Sequence, residues 1–253
     1  MSKKLANRSV VITGAGSGLG QTSAQLFARQ GAELILVDIN AKGMEETSVL
    51  VEKEGSRSTS YVCDVAIESE IQRLGEQLCK AYPKIDVLYN NAGIAYGEIN
   101  QMVNTINQEK WLRYLAINTI APLLIAEVLR SSLASAKGLI INQSSIASYA
   151  PATVYGVTKA ALNSLTYGMA NVYSEDGIRV NAIAPGIMET AASKQSLSQE
   201  TYDRVQAMQL SDLHGKAEDI ANLAIFLASE EGRFINCEIV NCDAGSRLRG
   251  WRA

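Results

Sequence analysis

A short apolar run, Ser9-Val-Val-Ile-Thr13, passes directly into Gly14-Ala-Gly-Ser-Gly-Leu-Gly20 and then into an Ala-, Gln- and Leu-rich stretch that ends at Gly31. This junction constrains the fold more than any other feature of the chain. The run reads as a buried strand and the stretch as a helix. The glycines between them let the backbone turn sharply and come close to a ligand. Strand, glycine turn and helix is the context a phosphate-binding turn needs, because the helix N-terminus offers free N–H groups and a partial positive charge. Glu33-Leu-Ile-Leu-Val-Asp38 then reads as a second strand ending in a carboxylate, 18 residues beyond Gly20. That is where a dinucleotide-binding unit places the acid for the adenosine ribose hydroxyls. Gly14, Ser17, Gly18, Leu19 and Gly20 are therefore candidates for the pyrophosphate, and Asp38 and Ile39 for the adenosine.

The rest of the chain repeats the alternation. Residues 60–65, 85–89, 138–142, 179–184 and 238–242 read as further strands. Residues 108–136, 153–173 and 218–229 read as helices, with another after the third strand up to about residue 80. Short apolar strands alternating with helices imply a parallel sheet covered on both faces. The expected fold is α/β: a doubly wound, Rossmann-type, seven-stranded parallel sheet in a three-layer αβα arrangement. It forms one domain over residues 1–253, with a substrate lid at about 187–210. Ligands of such sheets sit at the carboxyl ends of the strands. Asp38, Asp64, Asn90, Ser145 and Thr190 all fall there.

Composition excludes several classes. The 253 residues are 47% hydrophobic and 19% charged, with a net charge of −3. These values fit a globular chain and argue against nucleic acid or an anionic membrane as partner. Cys63, Cys79, Cys237 and Cys242 lack metal-ligand spacing and read as small core residues in a reducing, cytoplasmic compartment. With His214 as the single histidine, a His-based metal site or hydrolytic triad is not expected. Residues 1–8 carry no apolar signal core. The apolar window 115–133 contains Asn118, Pro122, Glu127 and Arg130, so a core or interface helix explains it better than a membrane span.

Tyr155-Gly-Val-Thr-Lys159 puts a phenol and an ammonium on one helix face. A tyrosine has an ordinary pKa of about 10, and a nearby positive charge favours the phenolate. The pair can then move a proton near neutral pH.

With these pieces in order, the chain resembles the classical short-chain dehydrogenase/reductases. Thr13 to Gly20 matches TGxxxGxG, Asp64-Val65 the adenine-contacting acid, Asn90-Asn-Ala-Gly93 the NNAG segment, Tyr155 to Lys159 YxxxK, and Pro185-Gly186 with Thr190 PGxxxT. The resemblance implies that Asp64, Val65, Asn91, Ala92, Gly93, Pro185, Gly186, Ile187 and Thr190 join the cofactor site. It implies Asn118, Ser145, Tyr155 and Lys159 as the catalytic set. Tyr155 would be the acid-base. Lys159 would keep it acidic and hold the cofactor ribose. Ser145 would bond the substrate oxygen, with Ser144 supporting the strand end. Asn118 would hold a water linking Lys159 to solvent. Asn90 is either functional or a support for the neighbouring strand.

Asp38, with no Lys or Arg in the glycine turn or just after the acid, favours NAD over NADP. Ile94, Tyr96, Tyr149 and Met188, with Ser145, are the expected substrate wall. They suit a hydrophobic or cyclic secondary alcohol and its ketone as the small-molecule partner. The resemblance also implies a homotetramer, or a homodimer, built on residues 115–133 and 160–170. Ser145 and Tyr155 stand 10 residues apart where many relatives have 13, so segment 146–154 is expected to be trimmed and the substrate mouth wider. Competing readings are an NADPH-dependent 3-oxoacyl-carrier reductase, a non-catalytic dinucleotide-binding regulator and an oligomeric scaffold.

Overall fold

The computed structural model describes residues 3–251. Seven strands lie parallel in one sheet, in the order β3-β2-β1-β4-β5-β6-β7. They are β1 (Ser9–Thr13), β2 (Glu33–Asp38), β3 (Ser58–Val62), β4 (Val87–Asn90), β5 (Leu139–Gln143), β6 (Arg179–Pro185) and β7 (Ile239–Cys242). The helices between them are α1 (Gly18–Arg29), α2 (Ala41–Lys53), α3 (Glu68–Ala81), α4 (Gln108–Leu115), α5 (Ala121–Val128) and α6 (Arg130–Ala136). Then follow α7 (Val154–Val172), α8 (Ala191–Ser196), α9 (Gln199–Gln206) and α10 (Ala217–Ala228). Reversal of strand order between β1 and β4 opens the crevice that such sheets use for ligands.

The central strands are apolar throughout because both faces are covered. Successive side chains alternate faces. Ile12, Leu36 and Tyr89 meet Phe27 of α1, Met44 of α2 and Ile220 of α10. Val11, Ile35, Leu88 and Ile140 meet Leu74 of α3, Ile125 of α5 and Met169 of α7. Each such fully buried side chain contributes about 1.5–3 kcal/mol of transfer free energy.

Two elements differ from expectation in ways that bear on the site. The strand expected at 60–65 is β3, and it ends at Val62. Its only partner is β2, and the last rung beyond the strand is Cys63 N–H donating to the Asp38 carbonyl at 3.0 Å. The Asp64 carboxylate then accepts the Ala66 N–H at 2.9 Å, turning the chain away from the sheet. The helix expected at 108–136 is broken. A π-helical turn occupies Ala116–Ile120, between α4 and α5. Pro122 has no N–H to give the Asn118 carbonyl, so the regular ladder cannot pass through Asn118.

Residues 108–128 are apolar and long enough to cross a membrane by length and composition, with mean hydropathy 1.2. In the fold, Ala121, Ile125 and Ala126 are buried in the core beside α3 and α7, which marks this as a core helix.

Candidate active site

The glycine turn is built around close backbone approaches. Gly14 has φ +66°, and a Cβ there would lie 2.8 Å from the Ala92 Cα. A Cβ on Gly20 would lie 2.1 Å from the Gly14 carbonyl oxygen. Ser17 is the N-cap of α1 but makes no side-chain cap bond, so its hydroxyl does not occupy the helix N-terminus. Gly18 has φ +53° and open space around its Cα. The turn thus brings the N-terminus of α1 to the carboxyl end of β1 with its first hydroxyl uncommitted, and an anionic pyrophosphate fits such a helix N-terminus.

The NNAG segment is tied to this turn. Asn91 Nδ2 donates to the Thr13 and Gly14 carbonyls at 2.9 and 3.2 Å, and the Ala92 N–H donates to Thr13 Oγ1 at 3.0 Å. Asp38 is held by two backbone donors, Gly16 N–H and Asn40 N–H, each at 2.8 Å. Ile39 beside it is 64% exposed. A carboxylate with an exposed apolar neighbour at the strand end suits an adenosine, with the ribose on the acid and the base on the aliphatic surface. Asp64 and Val65 sit in the turn after β3.

Tyr155 and Lys159 lie in the first turns of α7, which is capped by Thr153. The Thr153 hydroxyl accepts the Gly156 N–H at 3.1 Å. The Lys159 ammonium is 5.8 Å from the Tyr155 ring centre and donates to the Gln143 carbonyl at 2.7 Å. Burial draws this ammonium down to about 8. Burial also pushes the Tyr155 phenol up to about 12, while a hydrogen bond from Ser145 pulls it down and nearby Tyr96 pushes it up. Lys159 was expected to hold the phenol low. In this arrangement desolvation dominates both groups, and Ser145 is the neighbour that favours the phenolate.

Gly93 stands against Asn118 and Lys159. A Cβ there would lie 3.1 Å from Asn118 Oδ1 and 3.5 Å from Lys159 Nζ.

Asn118 is fully buried at the π-helical turn, and its side chain is spent on protein partners. Its Oδ1 accepts the Ile94 N–H at 2.8 Å. Its Nδ2 donates to the Ile94 carbonyl at 2.9 Å and to Thr158 Oγ1 at 3.1 Å. The Asn118 side-chain amide is thus committed to Ile94 and Thr158. The same bonds fix the backbone at Ile94. Asn90 also proves to be a support. It donates to Asn142 Oδ1 and the Pro122 carbonyl in the core.

The expected substrate wall is partly redistributed. Burial raises the Tyr96 phenol, while the nearby hydroxyls of Thr190 and Ser193 pull it down. Thr190 caps α8, accepting the Ser193 N–H at 3.1 Å. Pro185 and Gly186 end β6. A Cβ on Gly186 would lie 2.9 Å from the Asp243 Cα, so only glycine lets β6 and β7 approach there. Ile187 is half-buried beside it.

Two expected wall residues point elsewhere. Met188 is a core residue, 7% exposed and packed on Gly215. Tyr149 stacks under the Arg247 guanidinium, 4.9 Å from its ring centre, and lies within electrostatic reach of Tyr167 far along α7. Met188 turns inward because the chain forms a parallel bridge with Gly215 there. Tyr149 turns outward because the trimmed segment folds as a 3-10 turn, Ile146–Tyr149, against α7.

The trimmed segment does not leave a gap. Val154 N–H donates to the Gln101 carbonyl at 3.1 Å and Val103 N–H to the Ala152 carbonyl at 3.3 Å. Residues 101–103 thus line residues 152–154, and the trimmed segment takes the form of a turn backed by them.

Residues 14–247 match a family model described as enoyl-(acyl carrier protein) reductase, one of the short-chain dehydrogenase/reductase models. The chain belongs to the short-chain dehydrogenase/reductase family. It is 31% identical to an uncharacterized oxidoreductase of Bacillus subtilis, over 98% of this chain and 94% of that one. Among solved structures, it superposes on an NAD-bound xylitol dehydrogenase with TM-score 0.88 and 25% identity, covering 96% of this chain and 100% of that one. It superposes on the L-sorbose reductase of Gluconobacter frateurii, complexed with NADPH and L-sorbose, with TM-score 0.87 and 27% identity, covering 97% and 98%. The parallel sheet and its flanking helices are those of the family's solved structures.

Within this short-chain dehydrogenase/reductase, several residues that shape the site carried no sequence signal. Ser193 is fully buried and donates to the Met188 carbonyl at 2.8 Å, anchoring α8. Thr158 receives the Asn118 amide and donates to the Tyr155 carbonyl at 2.8 Å. Gln143 offers its backbone carbonyl to Lys159, while its side chain accepts the Tyr89 hydroxyl across the sheet. Serines, threonines and glutamines are common in turns and strand ends, so their partners emerge only when the elements are assembled.

Proposed function

We propose that this oxidoreductase interconverts a secondary alcohol and its ketone with NAD, and that Tyr155 carries the proton. The observation that carries this reading is the cluster itself. Tyr155 lies between Ser145 and Lys159, and Lys159 in turn lies against Gly93 of the segment tied to the glycine turn and its acid Asp38. When bound, the nicotinamide accepts or returns the hydride. Gly14, Ser17, Gly18, Leu19 and Gly20 hold the pyrophosphate, and Asp38, Ile39, Asp64 and Val65 the adenosine. Asn91, Ala92, Gly93, Pro185, Gly186, Ile187 and Thr190 line the nicotinamide end. Tyr155 takes the alcohol proton, and Ser145 donates to the substrate oxygen and steadies the charge that develops there. Lys159 supplies positive charge and holds the ribose. Asn118 acts by locking the Ile94 backbone under the site.

Kinship does not choose the cofactor, because one neighbour is NAD-bound and another is complexed with NADPH. Asp38 supports NAD, because backbone donors hold both its oxygens at the end of β2 and a carboxylate there repels a 2′-phosphate. The same point weighs against a 3-oxoacyl-carrier reductase working with NADPH. Ile94 and the aliphatic surface beside it favour a hydrophobic or cyclic alcohol, and Tyr96, Thr190 and α8 with α9 form a lid over it. Exposed apolar faces on the helices make the working form a homotetramer or homodimer.

The test is NAD reduction over steroid, cyclic, aromatic, aliphatic and polyol secondary alcohols, in wild type and Tyr155→Phe. Phe keeps the ring and deletes the proton-carrying oxygen. Turnover should fall more than roughly 100-fold, a loss near 3 kcal/mol, with NAD affinity almost unchanged. Oxidation needs the phenolate, and burial places this phenol high. Oxidative kcat/KM should therefore climb with pH across the neutral range, while reduction, which needs the phenol, should not. Turnover above a tenth of wild type in Tyr155→Phe would assign the proton to another group.

A further inference from the structure

Asn163 lies on α7, one turn beyond Lys159, and is half-buried. The proposed reaction makes no use of it. Its amide is the middle of a chain of hydrogen bonds that starts on the sheet and ends on Ser145. Ser144 Oγ donates to Asn163 Oδ1 at 2.6 Å. Asn163 Nδ2 donates to Ser148 Oγ at 2.9 Å. Ser148 Oγ donates to the Ser145 carbonyl at 2.6 Å.

The direction of the chain is forced. A carbonyl only accepts, so Ser148 must donate to Ser145. The Ser148 oxygen then accepts, so the NH2 group of Asn163 must face it. The amide oxygen is left for Ser144, whose own backbone N–H is fixed on the Ile183 carbonyl at 2.7 Å. Finally, the Ala147 N–H donates to Ser145 Oγ at 3.2 Å, which leaves the Ser145 hydroxyl hydrogen free to turn toward Tyr155. Both the carbonyl and the hydroxyl of Ser145 are therefore oriented, the former by the chain and the latter by the turn.

We propose that Asn163 is a positioning residue whose amide pins the shortened segment 145–149 onto α7 and so aims the Ser145 hydroxyl at Tyr155. This rests on the reading of Ser145 and Tyr155 as the pair that meets the substrate. The far end of the segment is held by residues 101–103 and its Tyr149 by Arg247, while the Ser145 end is held by one 3-10 turn and the Asn163 amide. The amide replaces, with two hydrogen bonds, the support that a longer segment could draw from its own length. The chemistry also specifies asparagine. Leucine fills the space but bonds nothing. Aspartate has nearly the same shape but only acceptors, so it would draw the Ser148 hydrogen away from the Ser145 carbonyl.

The full-length enzyme with NAD is the test system, with Asn163→Asp, Asn163→Leu, Ser148→Ala and, as control, the exposed neighbour Ser164→Ala. One readout needs no substrate: amide hydrogen exchange at Ala147 and Ser148, whose N–H groups bond Ser145 Oγ and the Ser145 carbonyl. Exchange there should speed up at least about tenfold in the three variants, while α7 and the rest of the sheet keep their protection. The other readout is kinetic. The loss in kcat should be on the order of 10- to 100-fold with KM for NAD nearly unchanged. The alkaline rise of the oxidative pH profile should move to higher pH, because the Ser145 donor that favours the phenolate is lost while Tyr96 and Lys159, which also face Tyr155, remain. Asn163→Leu combined with Ser148→Ala should be no worse than either alone, since both cut one chain.

Unchanged exchange at Ala147 and Ser148, or wild-type kcat with raised exchange, overturns the proposal. Raised exchange in an enzyme that oxidises none of the alcohols supports the pin and defeats the proposed reaction instead. If Asn163→Leu does not fold, the near-isosteric Asn163→Asp and the small Ser148→Ala distinguish the same outcomes.

Discussion

Asp38 shows how much one side chain does at this site. Its two oxygens take the Gly16 and Asn40 N–H groups, so it shapes the glycine turn in addition to the ribose-reading role proposed for it. These two duties can be separated. Asp38→Ala should erase the preference for NAD, bringing kcat/KM with NADP to within roughly tenfold of that with NAD, about 1.4 kcal/mol or less. Asp38→Asn should in addition set an NH2 group against one backbone donor. Its melting temperature should fall by a few degrees, for about 1 kcal/mol of lost bonding. Kinetics with both cofactors and a thermal scan check this, and a wild type that prefers NADP would defeat the account of Asp38. At the same scale, burial explains why Tyr155 and Lys159 are displaced in opposite directions, the phenol up and the ammonium down, each toward its neutral form, in a pocket without a carboxylate among their perturbing neighbours.

At the scale of elements, the junction between the 3-10 turn and α7 is the tightest point near the chemistry. A Cβ on Gly156 would lie 2.8 Å from the Ala147 carbonyl oxygen and 2.9 Å from the Pro151 Cα. Both are backbone atoms and cannot rotate away. Gly156→Ala should therefore cost about 1–3 kcal/mol by overpacking. It should also displace the turn that carries Ser145, so turnover should fall by more than NAD affinity does. Thermal denaturation and an NAD titration measure the two effects, and an unchanged melting temperature would mean the turn is free to shift. The π-helical turn works in the opposite sense. It places Asn118 where a regular helix would not, and the cause is the proline at 122.

For the whole molecule, the surface left by α4, the π-helical turn and α7 is greasy. Leu112, Ile120, Tyr167 and Val172 are 45–58% exposed, and Phe234, beyond α10, is 93% exposed. Large apolar side chains gathered on helix faces mark association surfaces. Light scattering at micromolar concentration should give two or four times the 27.2 kDa of the chain, and a particle of 27.2 kDa would refute association. The path from sequence to this molecule was uneven, and the reason is physical. The glycine turn, Asp38, the alternation of short apolar runs with helices, and the Tyr155 to Lys159 spacing are local. Each depends on neighbours within a turn or two, so the sequence by itself determined the parallel sheet and its single domain, and it singled out the candidate site. The end of β3, the inward turn of Met188, the outward turn of Tyr149 and the committed amide of Asn118 depend on partners tens of residues away, such as Gly215, Arg247 and Ile94. The pairing of Asn163 with Ser144 and Ser148 is of the same kind. A serine or asparagine has several possible partners in any sequence, and only the tertiary structure, by bringing one strand end and one helix face within hydrogen-bond distance, decided which of them it takes.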